Sequence, residues 1–384
     1  MGDMEIQSIE PIPLEYDLGP GSGFGGSRGV TNTRNATLVK LTSNDGTVGW
    51  GEAFASPRTV AALVEEVFAD AVVGRSPWEA ASLADEVYAG DIGGYHFGRQ
   101  GRTQAALSGV EVAMWDLLGK HLEKPVRDIL GGRSRDEVTP YASTMYFTEW
   151  GQDPEIPVAT ARDDGFTAAK IKIGGGVEDD VSRMRTAREV LGADADIMVD
   201  YNGNYTPAQA VESIHSISEF DPEWVEEPVP PEDLSGYREV ASKTDVQLAA
   251  GEAHFGRFEF TDLIRDGIVD VIQPNLGRCG GFAEARYIAR VATTSNVIVR
   301  PHVWNSVIGT AAALQFLATV PTYPNVASME TIPVLFEFDR SENPLRDKLL
   351  ETPLDPTGGT LAVPDGPGLG VDVDEEAIEA YRID

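Results

Sequence analysis

The spacing of apolar and polar residues along this chain follows two different patterns, and the pattern changes near residue 135. The first part opens with two strand patterns, IQSIEPIPLEY and NATLVKLTSNDGTVGWGEA, and the turn at residues 44–46 is typical of a hairpin. The segments RTVAALVEEVFADAVVG and QAALSGVEVAMWDLLGKHL then carry apolar residues at helical spacing, with Gly131 and Gly132 soon after the second. Residues 1–135 are therefore predicted to form an α+β domain.

From about Val138, short apolar runs alternate with helical segments such as DDVSRMRTAREVLG, TPAQAVESIHSISEF and GFAEARYIARVATTS. Thr206 and Pro207 fit an N-cap followed by proline at the first helical position. The predicted strands end near Thr144, Lys172, Asp200, Glu226, Glu252, Asn275, His302 and Glu330. Their spacing is close to the roughly 25 to 30 residues of one βαβ repeat, and eight strands close a TIM barrel. We predict an α/β barrel over residues 136–338, with the Pro/Gly-rich residues 339–384 returning to the first domain.

Composition is compatible with this architecture. The 384 residues with 42% hydrophobic content match a barrel of about 250 residues plus a smaller domain. The apolar stretches are shorter than a membrane span, and the start MGDMEIQSIE lacks the basic flank and apolar core of a signal peptide, so a cytoplasmic protein is predicted. The single cysteine, Cys279, excludes an intramolecular disulfide and a cysteine metal site and is expected to be a packed residue.

The net charge is −32, from 62 acidic and 30 basic residues. Nucleic acid and anionic membranes bind basic surfaces, so both are excluded as expected partners. A charge of this size repels itself unless it is screened, and at molar salt the Debye length falls to about 3 Å. The composition therefore predicts a protein of a high-salt (halophilic) cytoplasm.

Three acids, Asp200, Glu226 and Glu252, stand 26 residues apart, each after an apolar run. In a barrel they converge on one mouth, where three carboxylates suit Mg²⁺ and leave coordination positions for a substrate. The alternative for each acid is a solvated loop carboxylate. Glu227 is predicted to point to the opposite face, so Glu226 is the expected ligand and Glu227 the alternative.

Lys170 and Lys172 lie two residues apart on a predicted strand, so both ammonium groups face the barrel interior. Crowding and burial are expected to lower a lysine pKa toward the range of a general base, although the pair could instead form structural ion pairs. His302 ends the seventh predicted strand and provides a second acid/base group from the far side of the site. Glu330, at the end of the eighth, is expected to hydrogen-bond a substrate carboxylate oxygen, and the alternative is that it pairs with a lysine.

The glycine-rich segment GPGSGFGGSRG contains a G-x-G-x-x-G pattern at residues 21–26, but it lies between two strands and opens no helix, which argues against dinucleotide binding. We predict that this segment, residues 19–29, is a lid, with Arg28 or Tyr16 reaching the distal part of a substrate. Further candidates for substrate contact are His96, His254 and Trp304.

The order K-x-K, then D, E and E at consecutive strand ends, then H, resembles the enolase superfamily, as does the segment SGVEVAMWDLLGKHLEKPVRDILGG before the barrel. The chain resembles the mandelate racemase subgroup over essentially its full length. This resemblance implies a modified (β/α)₇β TIM barrel with an α+β capping domain, and Mg²⁺-assisted removal of the proton α to a carboxylate. It further implies roles for each site residue: Lys172 as base, Lys170 tuning its pKa and touching the carboxylate, Asp200, Glu226 and Glu252 as Mg²⁺ ligands, His302 acting on the other substrate face, and Glu330 assisting the enediolate.

One position departs from that subgroup. The sixth strand end usually carries an aspartate bonded to the histidine, whereas this chain has Asn275. An amide can orient His302 but cannot stabilise its cation, so the histidine pKa should be lower than beside a carboxylate. Asp270 lies five positions back on the opposite face and cannot substitute. A two-base racemisation is therefore less favoured than a one-base elimination.

Stretches such as KIKIGGGVEDD and EWVEEPVPPEDL look most like the sugar-acid enzymes of the subgroup. The leading hypothesis is β-elimination from an acid-sugar derivative, either lactone cycloisomerisation or dehydration, giving a 2-keto-3-deoxy acid. Epimerisation is the alternative within the superfamily; a Schiff-base aldolase and a non-catalytic binding barrel are alternatives from other classes. The expected partner is a small-molecule carboxylate, and a homo-oligomer is expected.

Overall fold

The computed structural model describes residues 4–132, 134–265, 267–324 and 332–384. Its first part contains the strands β1 (Ile6–Asp17), β2 (Phe24–Gly26), β3 (Gly29–Thr31), β4 (Thr33–Ser43) and β5 (Val48–Ala53). The helices here are α1 (Pro57–Leu63), α2 (Ala69–Val72), α3 (Leu83–Ala89), α4 (Arg102–His121) and α5 (Val126–Ile129). A π-helical turn at Val64–Phe68 joins α1 to α2, and a 3₁₀ turn at Pro77–Ser82 precedes α3. The antiparallel order β1-β4-β5 confirms the predicted hairpin.

Helix α4 lies directly against β5 because two glycines meet at the contact. A Cβ on Gly51 would lie 2.0 Å from the carbonyl oxygen of Gly109, so no larger residue fits at this distance between helix and strand. Val39 and Leu41 on one face of the sheet pack with α4, while Leu38 on the other face joins the large barrel core. The capping domain and the barrel therefore share buried apolar surface.

The second part alternates strand and helix as predicted. Its strands are β6 (Glu137–Thr144), β7 (Phe147–Thr148), β8 (Ala168–Lys172), β9 (Asp196–Asp200), β10 (Val225–Glu226), β11 (Leu248–Ala250), β12 (Val271–Ile272), β13 (Ile298–Val299) and β14 (Leu335–Asp339). The helices are α6 (Glu155–Asp163), α7 (Val177–Leu191), α8 (Pro207–Ile217) with a 3₁₀ turn at Ser218–Phe220, α9 (Leu234–Lys243), α10 (Gly256–Arg265), α11 (Gly281–Thr294), α12 (Val307–Leu317) and α13 (Pro344–Asp347). The predicted N-cap is present, because the Thr206 side chain accepts from the Gln209 N–H at the start of α8.

Eight parallel strands form the barrel in the order β13-β12-β11-β10-β9-β8-β6-β14. Each contributes one inward side chain to a single apolar layer. The layer consists of Tyr141, Ala168, Met198, Trp224, Ala249, Val271, Ile298 and Leu335. One residue from every strand in one cluster is the packing expected of a closed barrel.

The predicted position of the eighth strand is wrong. The strand is Leu335–Asp339 and does not end near Glu330, which lies outside the described residues. The prediction extended a nearly constant repeat, but the connection after the long buried helix α12 includes an additional proline-containing segment. The alternating sequence LFEFD marks the true strand.

Two further segments connect the domains. β2 pairs with β3 and with β7, so the lid hairpin is anchored on the loop that follows the first barrel strand. In the C-terminal segment, β15 (Leu361–Ala362) pairs with β6, and α14 (Glu375–Glu379) precedes an Ile383 N–H that donates to the Pro13 carbonyl at 3.0 Å. The domain boundaries at residues 135 and 338 stay predictions. Within the described ranges, the helices lack the combination of length and apolar character that a bilayer crossing requires.

Candidate active site

The polar site lies one layer above the apolar barrel layer. Side chains two residues further along a strand point the same way. Lys170 therefore follows Ala168 into the interior, Asp200 follows Met198, Glu226 follows Trp224, Gln273 follows Val271, and Glu337 follows Leu335. All of these polar side chains are buried. The two-residue period of the strands therefore places an apolar layer in the barrel and a ring of polar side chains above it.

The two lysines differ in their contacts. Lys170 Nζ lies 2.7 Å from Glu226 Oε1 and 2.9 Å from Glu337 Oε1, and its side chain is 1% exposed. Lys172 Nζ lies 2.5 Å from Asp200 Oδ2 and faces the open cavity of the site. Burial lowers the pKa of both ammonium groups, but the adjacent carboxylates outweigh burial and raise both pKa values above their usual range. The expectation of lowered lysine pKa values is therefore wrong for this arrangement.

Asp200, Glu226 and Glu252 come together as predicted. One carboxylate oxygen from each lies within 4.8 Å of the other two, at the carboxyl ends of three adjacent strands. Burial raises the pKa of Glu226 to about 8, with Asp200 and Glu252 adding to the rise while Lys170 opposes it. Closely spaced carboxylates of this kind fit an oxygen-liganded divalent cation, which relieves their mutual repulsion.

Glu227 also faces the site, contrary to the prediction that it points to the opposite side. Its φ is +40°, so the strand alternation has already ended and the chain turns the side chain back inward. Glu227 is 3% exposed, lines the cavity, and its Oε1 accepts no hydrogen bond. Burial and the neighbouring Glu252 carboxylate raise its pKa well above the usual range. The spacing of Glu226, Asp200 and Glu252 still favours Glu226 in the triad.

His302 reaches the site from just after β13. Its Nε2 lies 3.3 Å from Glu252 Oε2, and its Nδ1 lies 2.9 Å from Asn275 Nδ2. Burial lowers the pKa of His302 to about 4, opposed by Glu337 and reinforced by Lys170. Asn275 is buried, and its Oδ1 accepts from the Gly277 N–H at 2.9 Å. The amide therefore orients the imidazole, as its sequence position suggested.

Glu337 was not identified from the sequence, although it occupies the position at which an eighth-strand glutamate was expected. Its Oε1 pairs with Lys170, its Oε2 accepts from the Val303 N–H at 2.8 Å, and it lines the cavity. The inward position of the strand pattern LFEFD was the signal that could have identified it. The role assigned to Glu330 falls on a residue outside the described ranges.

A cavity of about 470 Å³ lies above these groups and beneath the lid. It is lined by Lys172, Glu252, His302 and Glu337 from the barrel and by Arg28 and Trp304 from the predicted substrate contacts. Trp304 Nε1 donates to Tyr146 Oη at 3.1 Å, which holds the indole at the cavity wall. A separate cavity of about 570 Å³ on the other side of Tyr146 contains none of the acid/base groups.

Three predicted substrate contacts lie elsewhere. Tyr16 donates its hydroxyl to Glu342 Oε1 at 2.8 Å and stacks on Tyr381. His96 packs on the exposed ring of Tyr95 at the surface, and His254 packs against Phe260 of α10. None of the three lines the cavity formed by the described residues.

The fold and the polar ring define an enolase-type barrel, and comparison with known proteins agrees. Residues 24–131 match the mandelate racemase / muconate lactonizing enzyme N-terminal domain, and residues 157–377 match the enolase C-terminal domain-like family. The chain belongs to the enolase superfamily, in its mandelate racemase / muconate lactonizing enzyme family, and is an enzyme of that superfamily.

Individual relatives extend over the whole chain. D-galactarolactone cycloisomerase of Agrobacterium fabrum is 36% identical over 383 residues, covering 99% of both chains. D-galactonate dehydratase of Klebsiella pneumoniae is 30% identical, covering 89% of both chains. The solved structure of 3,6-anhydro-D-galactonate cycloisomerase from Zobellia galactanivorans superposes with a TM-score of 0.86 at 32% identity, covering 99% of this chain and 100% of that chain.

Proposed function

We propose that the enzyme removes the proton α to the carboxylate of an acid sugar or its lactone and then expels the oxygen on the β-carbon. The product is an enol that tautomerises to a 2-keto-3-deoxy acid. The proposal is supported by full-length similarity to a cycloisomerase and to dehydratases of sugar acids, and by the acid/base groups of the cavity.

The observation that carries the proposal is that Lys172 and His302 line the same cavity from different sides of the barrel. Lys172 ends β8 and His302 follows β13, and these two strands are separated by β6 and β14 on the shorter path around the barrel. A substrate between them meets one basic group on one face and a hydrogen-bonding group on the other.

Lys172 is the proposed base, and Lys170 has a different task. Lys172 faces the cavity and has one carboxylate within ion-pair distance, whereas Lys170 is enclosed between Glu226 and Glu337. An enclosed ammonium cannot reach the α-carbon. It instead neutralises the two adjacent carboxylates and fixes their positions. Its enclosure also disfavours a Schiff-base role for Lys170.

We assign Mg²⁺ as the cofactor, held by Asp200, Glu226 and Glu252. When bound, Mg²⁺ stabilises the negative charge that develops on the substrate carboxylate as the α-proton leaves. Asn202 supports this position, because its N–H donates to Asp200 Oδ1 at 2.8 Å and its Nδ2 to Asp200 Oδ2 at 3.2 Å. Glu337 takes the place expected of the eighth-strand glutamate and hydrogen-bonds a substrate oxygen.

Substrate recognition is assigned to the wall and the lid. Arg28 provides positive charge in the lid for an anionic distal group, and Trp304 with Tyr146 forms an aromatic wall. The partner is a small-molecule carboxylate, and a homo-oligomer remains our expectation for the assembly.

The test is a screen of aldonates, aldarates and their lactones with Mg²⁺, measuring 2-keto-3-deoxy product. We expect turnover that EDTA abolishes and Mg²⁺ restores, that Lys172→Gln removes, and that Lys243→Gln, which changes an exposed lysine paired with Glu239, leaves unchanged. Solvent deuterium incorporation without elimination would instead establish an epimerase. A substrate-dependent adduct trapped by borohydride would establish an aldolase.

A further inference from the structure

Four side chains form a continuous hydrogen-bonded chain from the capping domain to His302. Asn305 Nδ2 donates to Glu52 Oε1 at 3.0 Å, and Asn275 Nδ2 donates to Asn305 Oδ1 at 2.7 Å. The same Asn275 nitrogen lies 2.9 Å from His302 Nδ1. Glu52, Asn275, Asn305 and His302 are all buried, so water does not compete for these bonds.

The carboxylate at one end fixes the direction of this chain. Glu52 also receives the Ser306 N–H at 3.1 Å, the Ser306 hydroxyl at 2.5 Å and the Gly309 N–H at 2.9 Å, so all its partners are donors. Asn305 must therefore present its NH₂ group to Glu52 and its oxygen to Asn275. Burial raises the pKa of Glu52, but its Oε1 also receives the Ser306 N–H and is therefore an acceptor, which fixes an amide orientation that is otherwise ambiguous.

A second anchor gives the same orientation at Asn275. The Gly277 backbone N–H can only donate, and it donates to Asn275 Oδ1. The Asn275 NH₂ group must then face both Asn305 Oδ1 and His302 Nδ1. One hydrogen of that group is available for each acceptor, so both hydrogens of the Asn275 amide are used.

We infer that the chain Glu52–Asn305–Asn275, together with the Gly277 N–H, sets the tautomer of His302, with Nδ1 accepting a hydrogen bond and Nε2 carrying the proton. A neutral imidazole has one donor and one acceptor nitrogen, and Nδ1 faces an N–H donor. The Nε2–H then faces the site, 3.3 Å from Glu252 Oε2, an oxygen that accepts no hydrogen bond from the described residues. Glu52 and Asn305 are positioning residues that act through Asn275.

This tautomer restricts the chemistry on the His302 face, on the basis of the proposed function. His302 Nε2 has no lone pair free to take a proton, so it cannot be a base for the α-carbon. Full donation of the Nε2 proton would leave an imidazolate anion, so His302 acts as a hydrogen-bond donor to a substrate oxygen. The leaving group then receives no proton from His302.

A lactone oxygen leaves as a carboxylate and needs no proton, whereas a free hydroxyl needs a proton from a group other than His302. In the lactone, Lys172 takes the α-proton, the C–H electron pair forms the C=C bond, and the ring C–O bond breaks to release a stable carboxylate. No atom is lost, and the enol tautomerises to an isomer of the substrate. We therefore assign a lactone of an acid sugar as the substrate class, with cycloisomerisation preferred over dehydration.

The tautomer is tested without substrate, by histidine-selective ¹⁵N NMR of the Mg²⁺-supplemented protein, with the His302 signals assigned through His302→Gln. We expect a protonated Nε2 and an unprotonated Nδ1. Glu52→Gln combined with Asn275→Asp lets both amide contacts reverse, because the glutamine NH₂ can donate to Asn305 and the new carboxylate can accept from Nδ1. The signals of the two nitrogens should then exchange their character.

Glu111→Gln is the matched control, since Glu111 is another buried capping-domain carboxylate that bonds the start of a barrel helix but has no contact with Asn305. It should leave the His302 signals unchanged. An Nδ1–H tautomer in the unaltered protein, or altered signals in the Glu111 variant alone, would overturn the assignment of Glu52.

The substrate class is tested by comparing kcat/KM for a lactone and for its open-chain hydroxy acid. General acid catalysis contributes about 10²–10⁴-fold, so we expect the lactone to be favoured by at least about 10²-fold. Equal turnover of both compounds by the unaltered enzyme would refute the lactone assignment, whereas no turnover of any acid sugar would refute the proposed function and leave the NMR result standing.

Discussion

Lys170 Nζ lies 2.9 Å from Glu337 Oε1, which ties the second barrel strand to the eighth through the interior. Both side chains are essentially inaccessible, at 1% exposure each. Glu226 completes the contact at 2.7 Å from the same nitrogen. The ammonium therefore compensates two buried carboxylates, a structural task distinct from the proposed chemistry at Lys172.

The different tasks of Lys170 and Lys172 predict different outcomes for two matched variants. Lys170→Met leaves Glu226 and Glu337 buried without their cation and should cost about 3–5 kcal/mol in the free energy of unfolding. Lys172→Met, at the cavity wall, should cost less stability but reduce α-proton exchange by about 10²–10⁴-fold. Denaturant unfolding and deuterium exchange with the substrate from the screen measure both effects. Equal stability losses for the two variants would contradict the assignment of a structural task to Lys170 and a chemical task to Lys172.

The metal assignment predicts the behaviour of Asp200→Asn. Removing one carboxylate of the triad should weaken Mg²⁺ binding by more than about 100-fold, because even groups that only support a ligand contribute 10–100-fold. Isothermal titration calorimetry with Mg²⁺ alone measures this loss. Glu239→Gln, which changes an exposed carboxylate far from the cavity lining, is the control and should bind Mg²⁺ normally. Undiminished binding to the Asp200 variant would remove Asp200 from the site.

The sequence predicted the triad and the lysines because they depend only on strand period and repeat length. Asp200 and Glu226 are the last residues of their strands, where alternation still holds, whereas Glu227 follows the strand and its φ of +40° reverses its direction. Glu337 was missed because the repeat length fails across the last connection. Both errors arise where the chain leaves regular structure.

The contacts between domains could not be predicted from local pattern. Glu52 and Asn305 are separated by 253 positions, and nothing in either segment marks the other as its partner. Tyr16 fails for a related reason: its place in the sequence next to the lid did not indicate the long-range partner Glu342. Such pairings follow from the docking of the capping domain, which depends on the whole packed surface.

Gly26 in the lid predicts a link between the lid and the proposed metal site. A Cβ at Gly26 would lie 1.9 Å from Asn202 Oδ1, and Asn202 hydrogen-bonds Asp200. Gly26→Ala should displace Asn202 or the lid and weaken Mg²⁺ binding or kcat/KM by about 10–100-fold.

Gly132→Ala is the control for this substitution, since its nearest atoms lie at 3.5 Å and its φ is not in the left-handed region. Calorimetry, kinetics and the melting temperature should be measured for both variants. If Mg²⁺ binding and kcat/KM are the same for the two variants, the close approach of the lid to Asn202 does not affect function.

The net charge of −32 predicts stabilisation by salt. Self-repulsion opposes the compact state, and screening shortens its range from about 10 Å at 0.1 M to about 3 Å at 1 M salt. The melting temperature should therefore rise between 0.1 M and 2 M KCl. Sucrose at matched osmolality is the uncharged control and should give a smaller rise, while a melting temperature independent of KCl would contradict the high-salt expectation.

Glu111 predicts a pH dependence of stability that is independent of the active site. Its carboxylate accepts from the N–H groups of Phe282, Ala283 and Trp115, which link the capping helix α4 to the start of α11. Burial nevertheless outweighs these bonds and raises the pKa of Glu111 from 4.5 to about 8. The folded protein therefore holds this proton over a range in which the unfolded chain has released it.

The sign of the effect follows from that difference in bound protons. Between pH 4.5 and about 8 the folded state binds more protons at Glu111 than the unfolded state, so this group's contribution to stability decreases as pH rises through that window. Glu111→Gln removes the titration, and the difference in unfolding free energy between variant and unaltered protein should shift in favour of the variant from pH 5 to pH 8. Urea unfolding at several pH values measures it. A difference that stays constant over this window would mean that Glu111 is ionised in the folded protein, with its three N–H donors outweighing burial.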